Sequence, residues 1–259
     1  MRAEECRNLR GGNVIHYPAR ARWIGKSATT LTGEFVSVKD HQVKQFESPL
    51  ERDLLTILDF DPMVVAFYDQ PLKVPWTDEG GRARKYTPDA LIRFDPRFLP
   101  PAESEVLLVE VKRSADVQEC DERDKAKHAA AERYCGERDW RFRVLTETHI
   151  RVPYLRNARF LRPYRGFEPS KEDWMAVHGA VSGRVGTTPE EVLGALLKSG
   201  KPDGDPDRRA RLISTMWRMA VSGHFVIDLH APLTMRSPIR SWDHRGEMPR
   251  EWRSPLWES

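Results

Sequence analysis

Charged side chains lie near the ends of two apolar segments, residues 86–92 and 106–112, and both segments have the composition of a β-strand. Asp89 lies in the first segment, and Glu110 and Lys112 close the second. Because successive side chains of a strand point to opposite faces, Glu110 and Lys112 share one face. Burying an unpaired charge costs several kcal/mol, so charged groups at such positions pair with each other or bind a metal ion.

These residue types suit the hydrolysis of a phosphodiester. Carboxylates on neighbouring strands, here Asp89 and Glu110, hold Mg²⁺ through oxygen and leave positions for water and phosphate oxygens, and we expect Mn²⁺ to substitute. Such a metal lowers the pKa of a bound water and offsets the charge of the phosphate. Lys112 can orient that water or stabilise developing charge. A surface Asp and a Glu–Lys pair beside a strand would give the same short motif. The surrounding sequence therefore has to distinguish a metal site from solvated surface residues.

A helix that begins near Ser48 would bring a third carboxylate to this region. Ser48 suits the N-cap, Pro49 suits the first helical position, and Glu51 completes a capping box by accepting the backbone N–H of Ser48. Glu51 also shares a helix face with the leucines of residues 54–58, so it points toward the predicted sheet. The sequence therefore leaves two roles for Glu51, a helix cap or a member of the metal site.

Composition excludes several classes of protein. The chain has 259 residues, of which 39% are hydrophobic and 31% are charged, and no stretch approaches the length of an apolar membrane span. The first residues lack the apolar region of a signal peptide. The three cysteines lack the spacing of a zinc site and the even number of a disulfide framework. We therefore expect a cytoplasmic protein, in a bacterium, without a membrane partner.

The net charge of +3 is unevenly distributed along the chain. Residues 51–150 carry an excess of carboxylates, which suits a metal site, whereas residues 1–50 and 151–259 are basic, which suits a phosphate backbone. The basic residues of the N-terminal segment include three that lie among aromatic residues and are candidates for DNA contact: Arg20, Arg22 and Lys26. A solvated arm that packs on the core through its aromatic residues is an equally good interpretation.

The order of predicted elements indicates an α/β fold. A leucine-rich helix after Ser48 is followed by three strands, a charged helix over 116–138 and a last strand over 140–145. The last strand is expected to lie parallel to the Glu110 strand, because a helix connects the two by a right-handed crossover. The fold class is therefore α/β with a mixed central sheet.

Two levels of resemblance follow from the motifs. The spelling Pro88-Asp89 followed by Glu110-x-Lys112 resembles the signature of the PD-(D/E)xK nuclease superfamily, whose core is restriction-endonuclease-like. The motifs SPLE, FYDQP, YTPD, EVK and VLTE occur in an order that is similar to the TnsA endonucleases of Tn7-like transposons. The resemblance covers residues 45–150 clearly and the remainder more weakly.

The resemblance to TnsA implies a set of site residues. Glu51, Asp89, Glu110 and Lys112 would be catalytic, and the two strand carboxylates, Glu51 and the carbonyl of Val111 would hold Mg²⁺. Glu110 stands where the best-known member of the family has Gln, which adds a charge. Two further residues lie in family-like motifs and are either adjacent to the site or simply a turn-capping Gln and a strand-end Glu: Gln70 and Glu147.

The resemblance also implies an activity and partners. Members of the family are endonucleases that cut the strand ending 5′ at each transposon end, and they work with a DDE-type transposase and an AAA+ ATPase regulator on double-stranded DNA. Two alternatives remain at this point. One is a free-standing PD-(D/E)xK restriction or repair nuclease, and the other is a nuclease-like fold that serves only as a DNA-binding adaptor.

The sequence predicts four segments, namely a basic N-terminal arm (1–45), the nuclease domain (46–150), a linker (151–168) and a winged-helix-like C-terminal domain with its tail (169–259). The C-terminal assignment rests on three helical patterns followed by a strand, and it resembles the C-terminal domain of the same family. Arginines of the third helix either reach DNA phosphates or are merely solvated: Arg208, Arg209 and Arg211.

Overall fold

The computed structural model describes residues 5–7, 14–16, 31–100, 103–182, 185–199, 206–241 and 248–256. The chain divides into two compact units. The first unit comprises Met1–Asp59 with Met63–Ile150, and the second comprises Phe60–Pro62 with Arg151–Ser259.

The first unit contains most of the strands. In chain order its elements are β1 (Glu5–Arg7), β2 (Val14–His16), β3 (Gly33–Val36), β4 (Val43–Phe46), α1 (Pro49–Phe60), β5 (Val64–Asp69), β6 (Val74–Thr77), β7 (Ala83–Tyr86), β8 (Ala90–Phe94), β9 (Val106–Val111), α2 (Ser114–Gln118), α3 (Glu122–Gly136), β10 (Arg141–Leu145) and α4 (Glu147–Ile150). A single 3₁₀ turn, Pro96–Phe98, follows β8.

The central sheet has four strands in the order β10-β9-β8-β5. Strand β8 is antiparallel to both β5 and β9, whereas β10 lies parallel to β9. The chain returns from β9 to β10 through α3, as a parallel pair requires. The predicted α/β class with a mixed sheet is confirmed, and so is the parallel pairing of the last strand with the Glu110 strand.

One face of this sheet packs against α3. Leu91 of β8 and Leu108 of β9 are buried in one cluster with Ala130 and Cys135 of α3. Because side chains alternate along a strand, the residues two positions from these leucines, Asp89 and Glu110, fall on the same face. The α3 side of the sheet is therefore the side on which the candidate chemistry must lie.

Three sequence predictions about the first unit need correction. The predicted strand over 86–92 is interrupted, because β7 ends at Tyr86 and β8 begins at Ala90, with Pro88 between them unable to donate a backbone hydrogen bond. The predicted helix over 116–138 is two helices, since the side chain of Asp121 caps a new one by accepting a bond from the N–H of Asp124 at 2.7 Å.

The third correction concerns the end of the predicted irregular arm. Strands β3 and β4 form an antiparallel pair with Val36 opposite Val43. The turn between them is held to α1, because the Ser37 hydroxyl donates to Asp59 Oδ1 at 2.7 Å. The alternating burial along β3 is the strand periodicity that the sequence interpretation overlooked.

The second unit is mainly helical. Its elements are α5 (Pro153–Leu161), α6 (Lys171–Val181), β11 (Val185–Thr187), α7 (Pro189–Ser199), α8 (Arg208–Val221), β12 (Phe225–Ile227) and β13 (Ile239–Ser241), with 3₁₀ turns at Arg162–Gly166 and Arg250–Trp252. The strands form an antiparallel sheet in the order β11-β13-β12. The three predicted helices are present within two residues of their expected ends. Three helices with a small sheet are compatible with a winged helix, and that assignment stays a prediction.

Residues 151–168 are not the linker that the sequence suggested. Helix α5 buries Tyr154, Leu155, Ala158 and Leu161, whose spacing is that of one helix face. The buried side chain of Asn157 donates to the carbonyl oxygens of Leu229 at 2.9 Å and Ala231 at 2.8 Å. The segment is therefore an integral part of the second unit. Its abundance of arginine and proline hid this short amphipathic pattern.

Among the helices that the structure describes, none combines the length and the apolar character needed to cross a membrane.

Candidate active site

Asp89 lies at the entry to β8 and is held from both sides by backbone. Its N–H donates to the carbonyl of Val109 at 3.0 Å, and its own carbonyl accepts from the N–H of Gln70 at 2.9 Å. Its side chain is fixed as well, because Oδ2 accepts from the N–H of Val111 at 2.7 Å. The carboxylate therefore has a defined position beside β9 although Asp89 lies outside the regular strand.

Glu110 is the second carboxylate, on β9 directly beside Asp89. Its Oε2 is buried and has no hydrogen-bond partner among the described residues. Burial raises the pKa of Glu110 to about 7, although the positive charges of Lys112 and Lys127 act in the opposite direction. A buried carboxylate oxygen without a donor is costly, and its presence requires an explanation.

The two carboxylates influence each other. Burial is the main cause that raises the pKa of Asp89 well above its ordinary value, and the negative charges of Glu110 and Glu51 raise it further. Like charges in one poorly solvated place favour protonation of at least one of them. A bound cation would remove this repulsion and accept the unpartnered oxygen, so the pair has the electrostatic character of a cation site.

Glu51 has the capping role and also acts on the site through its charge. The N–H of Glu51 donates to Ser48 Oγ at 3.1 Å, as a capping box requires. The reciprocal bond differs from the prediction, because Glu51 Oε2 accepts from the N–H of Glu47 at 2.8 Å rather than from that of Ser48. The charge of Glu51 raises the pKa of both Asp89 and Glu110, after the larger effect of burial in each case.

Lys112 is on the predicted face but is bound to a residue that sequence reasoning missed. Its ammonium donates to Asp124 Oδ2 on α3, and the other oxygen of Asp124 accepts from Lys127 at 2.7 Å. Burial alone would raise the pKa of Asp124, but the two lysines lower it to about 2. Asp124 and Lys127 continue the buried stripe of Ala131 and Cys135 along one face of α3, but the many other charges of this helix hide that stripe in the sequence.

Two further polar groups near the site were not predicted. The Tyr86 hydroxyl is buried without a hydrogen-bond partner among the described residues, and burial followed by the charge of Glu110 raises its pKa. Nε2 of His128, one turn along α3 from Asp124, is also buried and has no hydrogen-bond partner among the described residues. Burial lowers the pKa of His128, and the charge of Lys112 lowers it further, which favours a neutral imidazole.

The two residues proposed to be adjacent to the site have different surroundings. Gln70 touches Asp89 through its backbone, has a φ of 44°, and buries an Oε1 that has no hydrogen-bond partner among the described residues. A positive φ at a non-glycine residue is strained and is common at functional sites. Glu147 instead accepts from the N–H of Ser114 at 2.9 Å and from its hydroxyl, so it ties the start of α2 to the end of β10.

The predicted DNA-binding residues fall into two groups. Arg20, Arg22 and Lys26 lie outside the described residues. On α8, Arg208 donates to the Leu196 carbonyl at 3.4 Å and Arg211 pairs with Asp173 at 3.2 Å, whereas Arg209 is exposed. Contact with DNA stays a prediction for all of them.

The donor set fits a hard divalent cation. No cluster of three or more His, Cys, Asp or Glu side chains suited to a metal ion occurs within the described parts of the chain. Mg²⁺ does not require such a cluster, because it is commonly held by one or two carboxylates and keeps several waters. Asp89 with the unpartnered oxygen of Glu110 meets that requirement, and the larger ligand set with Glu51 and the carbonyl of Val111 stays a prediction.

Comparison with known families bears on this region directly. Residues 61–147 match the family model described as TnsA-like endonuclease, N terminal. The matched segment contains Asp89, Glu110 and Lys112, and it ends at Glu147. Glu51 precedes it. No curated protein matches the chain significantly.

Proposed function

Because residues 61–147 belong to the TnsA-like endonuclease family, we propose that the protein is the endonuclease subunit of a Tn7-like transposition system. It cuts the strand that ends 5′ at each transposon end by metal-assisted hydrolysis. A DDE-type transposase cuts the other strand and joins it to the target, and an AAA+ regulator delivers the target. These partners and this strand preference come to the chain from its likeness to the family.

The observation that carries the proposal is that Asp89 bonds the backbone of Val109 and Val111, on either side of Glu110, and that Glu110 has a buried oxygen that no described donor reaches. A structural carboxylate in such a place would be expected to have a donor. The alternative of a surface Asp and a solvated Glu–Lys pair is disfavoured, because Asp89 is fixed by the N–H of Val111, Oε2 of Glu110 is buried, and Lys112 is 18% exposed. Titratable groups perturbed by burial cluster at functional sites.

Each residue then has a role. Asp89 and Glu110, with the carbonyl of Val111 and with Glu51, are the proposed ligands of Mg²⁺ or Mn²⁺, which when bound activates water and offsets phosphate charge. The N–H of Val111 fixes the orientation of Asp89. Lys112, the residue directly after β9, supplies a positive charge that can stabilise charge developing on the phosphate.

Partner dependence follows from the charge of the chain. Affinity for DNA increases with the number of phosphates that a protein neutralises, and the net charge here is only +3. The excess of carboxylates in 51–150 repels the duplex until a metal binds. We therefore propose that the transposase holds the DNA end in the site and that the protein alone is nearly inert.

The test is strand-specific cleavage of a labelled transposon end with Mg²⁺. The full-length protein alone should give almost no product, and addition of the partner transposase should produce a cut on the strand that ends 5′ at the element. Efficient double-strand cutting by the isolated protein would contradict the proposal and favour a free-standing nuclease. Absence of any cut on that strand in the complete system would favour an adaptor without activity.

A further inference from the structure

Lys112, Asp124 and Lys127 form a partly buried ion cluster beside the two carboxylates of the candidate site. Asp124 gives one carboxylate oxygen to each ammonium group. The side chains of Lys112, Asp124 and Lys127 are only 18%, 20% and 21% exposed. Ion pairs at this depth are screened by salt much less than those of a solvated helix face. This cluster is called the lysine clamp below.

Helix α3 fixes the clamp relative to the sheet. Asp124 lies in the first turn, where a negative charge is stabilised by the helix dipole, and its N–H is capped by Asp121. Further along the helix, Ala130 and Cys135 are buried against Leu91 and Leu108 of the sheet. Asp124 is therefore held by a helix whose position the core determines, and it can in turn hold Lys112.

The lysine clamp gives the ammonium group of Lys112 a carboxylate partner on α3, away from Glu110. Glu110 lies in β9 and Lys112 directly follows it, two residues on, a separation of about 7 Å in extended chain that a lysine side chain can fold back across. In the structure the ammonium group of Lys112 bonds to Asp124, while Oε2 of Glu110 is buried without a partner among the described residues. Glu110 is, after Asp124, the carboxylate whose charge acts most on Lys112, and it has a buried oxygen to offer if Asp124 loses its charge.

We propose that Asp124 is a positioning residue, which holds Lys112 away from Glu110 so that the Glu110 carboxylate remains available to a divalent cation. Lys127 occupies the second oxygen of Asp124 and keeps that carboxylate aligned. The inference rests on the proposed function, because it assigns Asp124 a role toward the same metal site. It adds a residue on α3 to a site otherwise formed by the sheet and α1.

The test measures Mn²⁺ binding to the full-length protein by calorimetry, without DNA. Residues that support metal ligands typically contribute about 10–100-fold to metal affinity, and we expect Asp124→Asn to weaken binding by that range. Lys112→Met alone should bind Mn²⁺ at least as tightly as the wild type. The decisive variant is Asp124→Asn with Lys112→Met, which should recover wild-type affinity because no ammonium group remains to occupy Glu110.

Two controls accompany the measurement. Glu132→Gln removes an exposed carboxylate from the same helix and should leave Mn²⁺ binding unchanged. Asp124→Glu keeps the carboxylate and should restore most of the affinity. Circular dichroism establishes that each variant folds. If Asp124→Asn does not fold, Asp124→Ser takes its place, and the same results support or overturn the inference.

The outcomes separate this inference from the proposed function. Wild-type affinity in Asp124→Asn would overturn the inference, and so would a double variant that binds as weakly as Asp124→Asn. In both cases, if Asp89→Ala loses Mn²⁺ binding, the proposal that Asp89 belongs to a metal site still holds. A wild-type protein that does not bind Mn²⁺, or an Asp89→Ala variant that binds it equally well, would overturn the metal site and the inference together.

Discussion

Asp89 and Glu110 carry like charges in a place where little water solvates them. Burial raises the pKa of both, and for Glu110 it does so despite the nearby ammonium groups of Lys112 and Lys127. Such an arrangement weakens the fold in the absence of a cation, and natural proteins commonly tolerate this cost where a site needs it. At the scale of single residues, the carboxylates of the site should therefore lower the free energy of unfolding of the metal-free protein.

The pH dependence of that destabilisation has a definite sign. Between the ordinary pKa of 4.5 and the folded-state value of about 7, folded Glu110 holds a proton that the unfolded chain releases, so the free energy of unfolding falls as pH rises. Glu110→Gln removes this titration. We expect the metal-free variant to be more stable than the wild type by on the order of 2 kcal/mol at pH 8 and nearly equal to it near pH 4.

Thermal unfolding of both metal-free proteins from pH 4 to pH 8 checks this prediction. The matched control is Glu132→Gln, whose exposed carboxylate should give no such pH-dependent difference from the wild type. A constant difference between Glu110→Gln and the wild type across the range would show that the carboxylate of Glu110 is not destabilised by burial.

The sequence identified some of these residues and not others, for physical reasons. Asp89, Glu110 and Lys112 were recognisable because charges interrupt apolar strand patterns at those positions. Asp124 was not, because α3 is highly charged along its length and resembles a solvated helix. Only the packing of Ala130 and Cys135 against the sheet shows which of its charges face inward.

At the scale of elements, α3 has two tasks. It is the crossover between the parallel strands β9 and β10, and it covers the sheet face on which the candidate site lies. The sequence predicted the crossover and the parallel pairing, because a helix between two apolar strands allows little else. It did not predict that a new cap at Asp121 would start a separate helix, which sets the position of Asp124.

The cap at Asp121 can be tested on its own. Its side chain accepts from the N–H of Asp124 at 2.7 Å, and loss of an N-cap typically costs about 1 kcal/mol. In Asp121→Ala the amides at the start of α3 should exchange with solvent roughly fivefold faster than in the wild type. Asp121→Asn, which can also cap, should exchange like the wild type.

Hydrogen exchange measured on peptides from Glu122–Gly136 gives the readout. Equal exchange in the Asp121→Ala and wild-type proteins would mean that the core packing of α3, and not its cap, holds the first turn in place. The position of Asp124 would then depend on Ala130 and Cys135 alone.

At the scale of the whole molecule, the family match covers residues 61–147 and leaves Arg151–Ser259, which form nearly all of the second unit, outside it. The sequence predicted α6, α7 and α8 but assigned residues 151–168 to a linker, because the nine-residue amphipathic helix α5 gives a weak signal among arginines and prolines. The strand expected after the third helix is present as β12, but its sheet partners β11 and β13 escaped prediction, since three residues show little alternation.

Asp89 is proposed here to belong to a nuclease site that cuts one particular strand of the transposon end. The most direct measurement is strand-resolved cleavage of a labelled transposon end by wild type and Asp89→Ala, each in complex with the partner transposase and Mg²⁺. The transposase cut on the opposite strand reports that the complex has assembled. We expect Asp89→Ala to abolish the cut on the strand ending 5′ and to preserve the opposite cut, whereas persistence of both cuts would contradict the proposed site.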